Sequence, residues 1–225
     1  MSKELPKDSR EWAHDTTDRQ GRERDLEDYE GWLGFKREDL EGKSVLDIGS
    51  GERELFSKDL RGLDISAKVF TLNPDYSDGR YRKSIKLKED WQKKSTAGIA
   101  QELPYQDNTF DIIVGLYSVT AFSAPDKEFG NPEAAKKWLS EVARVLKSGG
   151  KAIFAPVTEG EGYEELLKEL EEKGYIIKVE NIKNKDLGLT KEELRHYNPK
   201  TGTFNTQIQD YPENSWAKRL IIIKP

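Results

Sequence analysis

Hydrophobic positions in this 225-residue chain fall in short, separate blocks. Ser44-Val45-Leu46-Asp47-Ile48 runs into glycines, as a strand buried on both faces does. Val69-Phe70-Thr71-Leu72 repeats the pattern and is stopped by Asn73-Pro74. Further strands are predicted at Asp111–Leu116, Lys151–Ala155, Tyr175–Val179 and Leu220–Ile223, with a short one near Gly98–Ala100. Between these blocks the apolar spacing turns helical. Leu26, Tyr29 and Leu33 predict a helix over 22–33, and Leu55, Phe56 and Leu60 one over 52–60. Trp138, Val142, Val145 and Leu146 make one apolar stripe, with Asn131 as N-cap, Pro132 in the first position and Gly149-Gly150 as the stop. Tyr163, Leu166, Leu167 and Leu170 predict another helix, ended by Gly174. Residues 80–94 are basic and suit a helix, whereas 183–217 are polar without a readable period.

Strands alternating with helices, then two closing strands, predict an α/β domain: a mostly parallel, doubly wound sheet with helices on both faces. Such sheets bind ligands beyond the carboxyl ends of their strands, where strand order reverses. The expected division is an N-terminal helical cap or extension over 1–40 and the α/β domain over 41–225, with 183–217 as a polar insertion before the last strand.

Composition removes several chemistries. With no cysteine, there are no thiolate metal sites, disulfides or cysteine nucleophiles. Two histidines, His14 and His196, argue against a histidine-rich metal centre. A net charge of -5 argues against a general nucleic-acid binder. One local exception is the run Arg80, Arg82, Lys83, Lys86, Lys88, Lys93 and Lys94 around Trp91, which could hold RNA or an acidic partner; Asp78, Glu89 and Asp90 inside it favour a solvated helix face. Trp12, Trp32, Trp138 and Trp216 read as packing residues. No apolar leader or membrane span stands out, so the cytoplasm is the expected location.

The glycine loop Asp47-Ile48-Gly49-Ser50-Gly51 lies between a predicted strand and helix, where bare backbone lets a ligand approach closely. Three nucleotide ligands compete for it. A P-loop needs a glycine where Arg37 stands, and Gly42-Lys43-Ser44 precedes the strand, so that reading fails. A dinucleotide places its pyrophosphate on the helix N-terminus, where Glu52 and Glu54 would repel it. S-adenosylmethionine has no phosphate and carries a sulfonium, so the acidic loop with Asp47, Glu52 and Glu54 suits it. A tight turn holding no ligand is the competing reading.

Val45–Gly51 resembles the first motif of class I S-adenosylmethionine-dependent methyltransferases. Glu102–Val114 is similar to their "LPF-D-SFD-V-V" segment, and Glu141–Lys151 to their "E-RVLKPGG" junction. The resemblance covers about residues 40 to 157 and is nearest the methyltransferase type 11 branch. It implies a Rossmann-like, seven-stranded fold with an antiparallel last strand, a methyl-transfer activity and S-adenosylmethionine as cofactor. Asp47, Gly49, Ser50 and Gly51 would then line its methionine and ribose, Asn73 the ribose hydroxyls, Ile99 and Ala100 the adenine, and Tyr117 with Ser118 the methyl group and acceptor.

Three positions depart from the family pattern. Arg53 replaces the third glycine, Asn73 the ribose acid and Ile99 the adenine acid. Each lost charge-assisted bond is worth about 1.5–3 kcal/mol, which keeps a degenerate, non-catalytic scaffold as the alternative. Methyl transfer needs in-line positioning above all, and a base only for a protonated nucleophile. The candidates for that base are His14, Tyr117, His196 and Tyr197. A small-molecule acceptor is the expected partner.

Overall fold

Alternate side chains of β1 (Ser44–Ile48) enter two different apolar layers, Val45 one and Leu46 and Ile48 the other. The computed structural model describes residues 24–51, 54–77, 94–118, 132–157, 163–182, 197–198, 203–204 and 217–225. With β1 go β2 (Lys68–Leu72), β3 (Ser95–Thr96), β4 (Phe110–Leu116), β5 (Leu146–Val157), β6 (Ile176–Ile182) and β9 (Ala217–Ile223). They form one seven-stranded sheet in the order β3-β2-β1-β4-β5-β9-β6. The β1–β2, β1–β4, β2–β3 and β4–β5 pairings are parallel, whereas β9 runs antiparallel to both β5 and β6. Strand order reverses at β1, with β2 on one side and β4 on the other, which puts the ligand crevice above these strands. A separate ribbon pairs β7 (Tyr197–Asn198) with β8 (Thr203–Phe204).

One layer buries Val45, Val69, Ile112, Val114 and Ile153 under α1 (Leu26–Leu33) and α2 (Leu55–Gly62). The other buries Leu46, Ile113, Phe154 and Ile222 under α3 (Pro132–Val145) and α4 (Glu164–Glu172). Trp32 and Trp138 are both in the core, as packing residues should be. Each large side chain so removed from water contributes about 1.5–3 kcal/mol. The N-terminus of α1 is closed by a capping box in which Asp25 and Asp28 each accept from the other's backbone N–H, and Gly34 ends it in the left-handed conformation.

Two of the sequence motifs form a single clamp. Arg144 on α3 donates through Nε and Nη2 to both oxygens of Glu141, each at 2.8 Å. Its Nη1 also reaches the Tyr105 carbonyl at 2.7 Å and Asp107 at 2.8 Å, and its Nη2 the Leu103 carbonyl at 3.0 Å. Glu141 in turn accepts from the Leu103 N–H at 2.8 Å. The clamp therefore fixes the loop between β3 and β4, on which Ile99 and Ala100 lie.

Some element limits differ from those predicted. The third strand is Ser95–Thr96, not Gly98–Ala100. Gly98 instead presses on Leu72, where an added Cβ would meet Leu72 Cδ1 at 2.8 Å, and Ala100 lies in a turn. The long helix ends at Val145, short of Gly149-Gly150, because Leu146 pairs with Phe110 and enters β5. Strand pairing outweighs the helical preference of Leu146 there. Helix α2 begins at Leu55 rather than at 52, and β6 continues to Ile182. The predicted helix over 80–94 lies outside the described residues, Lys94 excepted.

Candidate functional site

Asp47 pairs in register with Thr71, and Thr71 with Ser95, so three polar side chains cross β1, β2 and β3 in one row. The row lies on the α1/α2 face, whose other sheet positions are largely apolar. Helices on that face supply its partners. Tyr29 of α1 donates its phenol to Asp47 Oδ1 at 2.9 Å. Glu54, just before α2, accepts at one oxygen from Thr71 (2.8 Å), Tyr76 (2.7 Å) and Ser95 (2.6 Å). Three hydroxyl donors hold this buried carboxylate at a left-handed residue (φ 50°), a conformation costly for a non-glycine residue.

Tyr76 follows β2 in the short 3-10 turn Pro74–Ser77 and lies across the glycine loop. Its hydroxyl is 2.8 Å from Ser50 Oγ and 3.1 Å from the Gly51 carbonyl. A phenol has one proton, and the Glu54 carboxylate is the nearest and strongest acceptor. Ser50 therefore donates to Tyr76, and Tyr76 to Glu54. Burial, then the charge of Glu54, raises the Tyr76 pKa, so the phenol stays neutral.

At the crest of the loop, Gly49 adopts φ 81° and donates its N–H to the Leu72 carbonyl at 2.8 Å. An added Cβ would meet Ser118 Cβ at 2.6 Å, so only glycine fits. Ser118, which packs against Gly49, and Asp47, two residues before it, each keep a buried oxygen without a hydrogen-bond partner among the described residues: Ser118 Oγ and Asp47 Oδ2. An interior oxygen left so costs about 1–3 kcal/mol, which a donor brought into the site would recover. Burial first, then the nearby Glu54, pushes the Asp47 pKa up to about 8, against the Tyr29 bond that lowers it. The ionised site is thus one that a cation would stabilise.

The expected site residues are partly assembled here. Asp47, Gly49, Ser50 and Gly51 form the loop, and Asn73 is buried beside it, its N–H bonded to the Thr96 carbonyl at 3.1 Å. Ala100 is buried and Ile99 half-buried in the clamped loop before β4. Tyr117 follows β4 at φ 51°, with Trp32 edge-on at 4.9 Å and Arg24 over its ring at 4.4 Å. Arg53, His14 and His196 lie outside the described residues, and Tyr197 enters only as backbone of β7. Sequence reasoning missed Tyr29 and Tyr76. Tyr29 reads in sequence as one more apolar position of α1, and nothing around Tyr76 marks it. Among the described residues no three His, Cys, Asp or Glu side chains gather as a metal site, and no helix is long and apolar enough to cross a membrane.

Residues 46–154, from β1 to β5, match the methyltransferase domain family. Over this stretch the chain carries a methyltransferase domain of the class I S-adenosylmethionine-dependent family. Among the relatives of this family is the ubiquinone/menaquinone biosynthesis C-methyltransferase UbiE of Rickettsia bellii, 34% identical over 125 residues, which are 52% of this chain and 46% of that one. A sterol 4-C-methyltransferase of Caenorhabditis elegans is 28% identical over 139 residues, 61% of this chain and 38% of that one. The chain thus spans less than half the length of these two relatives. Solved structures share the fold across nearly the whole chain. One chain of the complex between the Haloferax volcanii Trm112 methyltransferase activator and a methyltransferase has a TM-score of 0.57 at 18% identity, covering 99% of this chain and 100% of that one. A TehB-like methyltransferase from Corynebacterium glutamicum has a TM-score of 0.51 at 16% identity, with 96% of each chain covered.

Proposed function

We propose that this chain binds S-adenosylmethionine above the Gly49–Gly51 loop and transfers its methyl group to a small-molecule acceptor. The observation that carries the reading is the glycine loop itself: Gly49 tolerates no Cβ against Ser118, and Ser118 and the nearby Asp47 of β1 each keep a buried oxygen without a hydrogen-bond partner among the described residues. The residues fit the ligand. Asp47 would face its ammonium group, and the bare backbone of Gly49 and Gly51 would admit its methionine and ribose. Asn73 would hold the ribose hydroxyls, and Ile99 and Ala100 would give the adenine an apolar wall. When bound, the ligand supplies a sulfonium-activated methyl group, which passes to an acceptor nucleophile while the S–CH3 electron pair returns to sulfur. The chain's part is orientation and exclusion of water.

The Glu54 carboxylate buried beside the loop disfavours a pyrophosphate and so a dinucleotide. Tyr117 and Ser118, at the carboxyl end of β4, are the residues nearest the transfer. The N-terminal segment is a cap on this reading; its helix α1 packs beside α2 against the sheet and reaches Asp47 of β1 through Tyr29. The acceptor is a small organic molecule, in keeping with the C-methyltransferases named above. Calorimetric titration with S-adenosylhomocysteine, with NAD as control, tests the proposal. Micromolar binding of the first and none of the second is expected. No binding at millimolar S-adenosylhomocysteine would overturn it in favour of a degenerate scaffold.

A further inference from the structure

Asp47 has two oxygens in different situations. Oδ1 accepts the Tyr29 phenol at 2.9 Å, whereas Oδ2 has no partner among the described residues. Tyr29 is itself tightly placed. Its ring stacks on Phe56 of α2 with centroids 4.3 Å apart and planes 10° apart. Helix α1 is anchored a second time by the Leu26 N–H, which donates to Asp59 of α2 at 3.1 Å. The phenol therefore reaches Asp47 from a rigid platform, and a single bond to one oxygen fixes the rotation of the carboxyl group.

We propose that Tyr29 is a positioning residue: by occupying Oδ1 it turns Oδ2 toward the cationic amino-acid end of the ligand and keeps the carboxylate ionised when that end binds. This rests on the site taking S-adenosylmethionine. A hydrogen bond to the charged form favours that form, and Tyr29 is the group that opposes the rise of the Asp47 pKa. The phenol stays a donor because burial, then the charge of Asp47, raises its own pKa well above the usual tyrosine value. The other groups acting here are Glu54 at the start of α2, whose charge disfavours ionised Asp47, and Arg24 before α1 and Tyr76 after β2, which act on Tyr29.

The test uses Tyr29→Phe, which keeps the ring against Phe56 and removes only the donor. S-adenosylhomocysteine affinity is measured by calorimetry at several pH values between 6 and 8.5 for both proteins, and the Asp47 carboxyl is titrated by carbon NMR in the ligand-free state. The expected result is affinity about tenfold weaker at pH 7, the loss typical of a bond to a charged group. The gap should narrow as pH rises, with the Asp47 titration displaced upward in the variant. A uniform loss at every pH would make Tyr29 a packing residue and overturn the proposal, as would unchanged affinity or an unmoved Asp47 titration. If the wild-type chain does not bind, the cofactor reading itself fails, whereas binding by wild type with no effect of Tyr29→Phe removes only the positioning role.

Discussion

Replacing Arg144 by alanine should destabilise the fold through the loop it clamps, far from the reacting groups. The guanidinium meets two backbone carbonyls, of Leu103 and Tyr105, and two carboxylates, of Glu141 and Asp107. Its side chain is 31% exposed, and that of Asp107 67%, so solvent screens the ion pairs and the Asp107 contact counts for little. The two carbonyl bonds and the bidentate Glu141 pair dominate, and together they are worth about 2–3 kcal/mol. For a chain of this length that is about 4–12 °C in melting temperature. Arg144→Lys keeps the charge but cannot span four acceptors with one planar fork, so it should recover less than half. Thermal denaturation followed by circular dichroism reads both variants. A melting temperature for Arg144→Ala within about 1 °C of wild type, or full stability restored by lysine, would show that the clamp does not hold this loop.

Two further outcomes follow from the site. Gly49→Ala places a Cβ 2.6 Å from Ser118 Cβ at φ 81°, which should cost about 1–3 kcal/mol and abolish ligand binding; Ser118→Gly in the same chain should return part of the stability, since it removes the contact but not the strained φ. Because Asp47 is held protonated up to about pH 8 and a bound cation favours its carboxylate, S-adenosylhomocysteine binding at pH 7 should release a fraction of a proton. The sign follows from linkage: the free protein binds the proton that the complex gives up. Calorimetry in buffers of different ionisation enthalpy measures this, and equal heats in all buffers would contradict it, as would a release that persists in Asp47→Asn.

The hydrophobic pattern carries most of the fold because its periods are those of the elements themselves. Residues 45–48 and 111–116 are apolar throughout or nearly so, and both became strands covered on two faces. Where the sequence misled, long-range pairing decided. Leu146 fits the stripe of α3 as well as it fits β5, and only its partner Phe110, 36 positions earlier, resolves the choice. The motif residues of the glycine loop were legible because close backbone approach restricts the residue type. The hydroxyls around Glu54 were not, since Thr71, Tyr76 and Ser95 sit 17, 22 and 41 positions away and become neighbours only when β2 and β3 pair. Tyr29 stayed hidden for another reason: at helical spacing a tyrosine shows its ring to the pattern and keeps its hydroxyl out of sight.

Whether the Gly49–Gly51 loop is the seat of S-adenosylmethionine is decided by a crystal structure of the chain grown with S-adenosylhomocysteine. Ligand density is expected over Gly49 and Gly51, with its ammonium group within hydrogen-bond reach of Asp47 and its ribose hydroxyls at Asn73. An empty loop beside saturating ligand, or density at any other place on the chain, would contradict it.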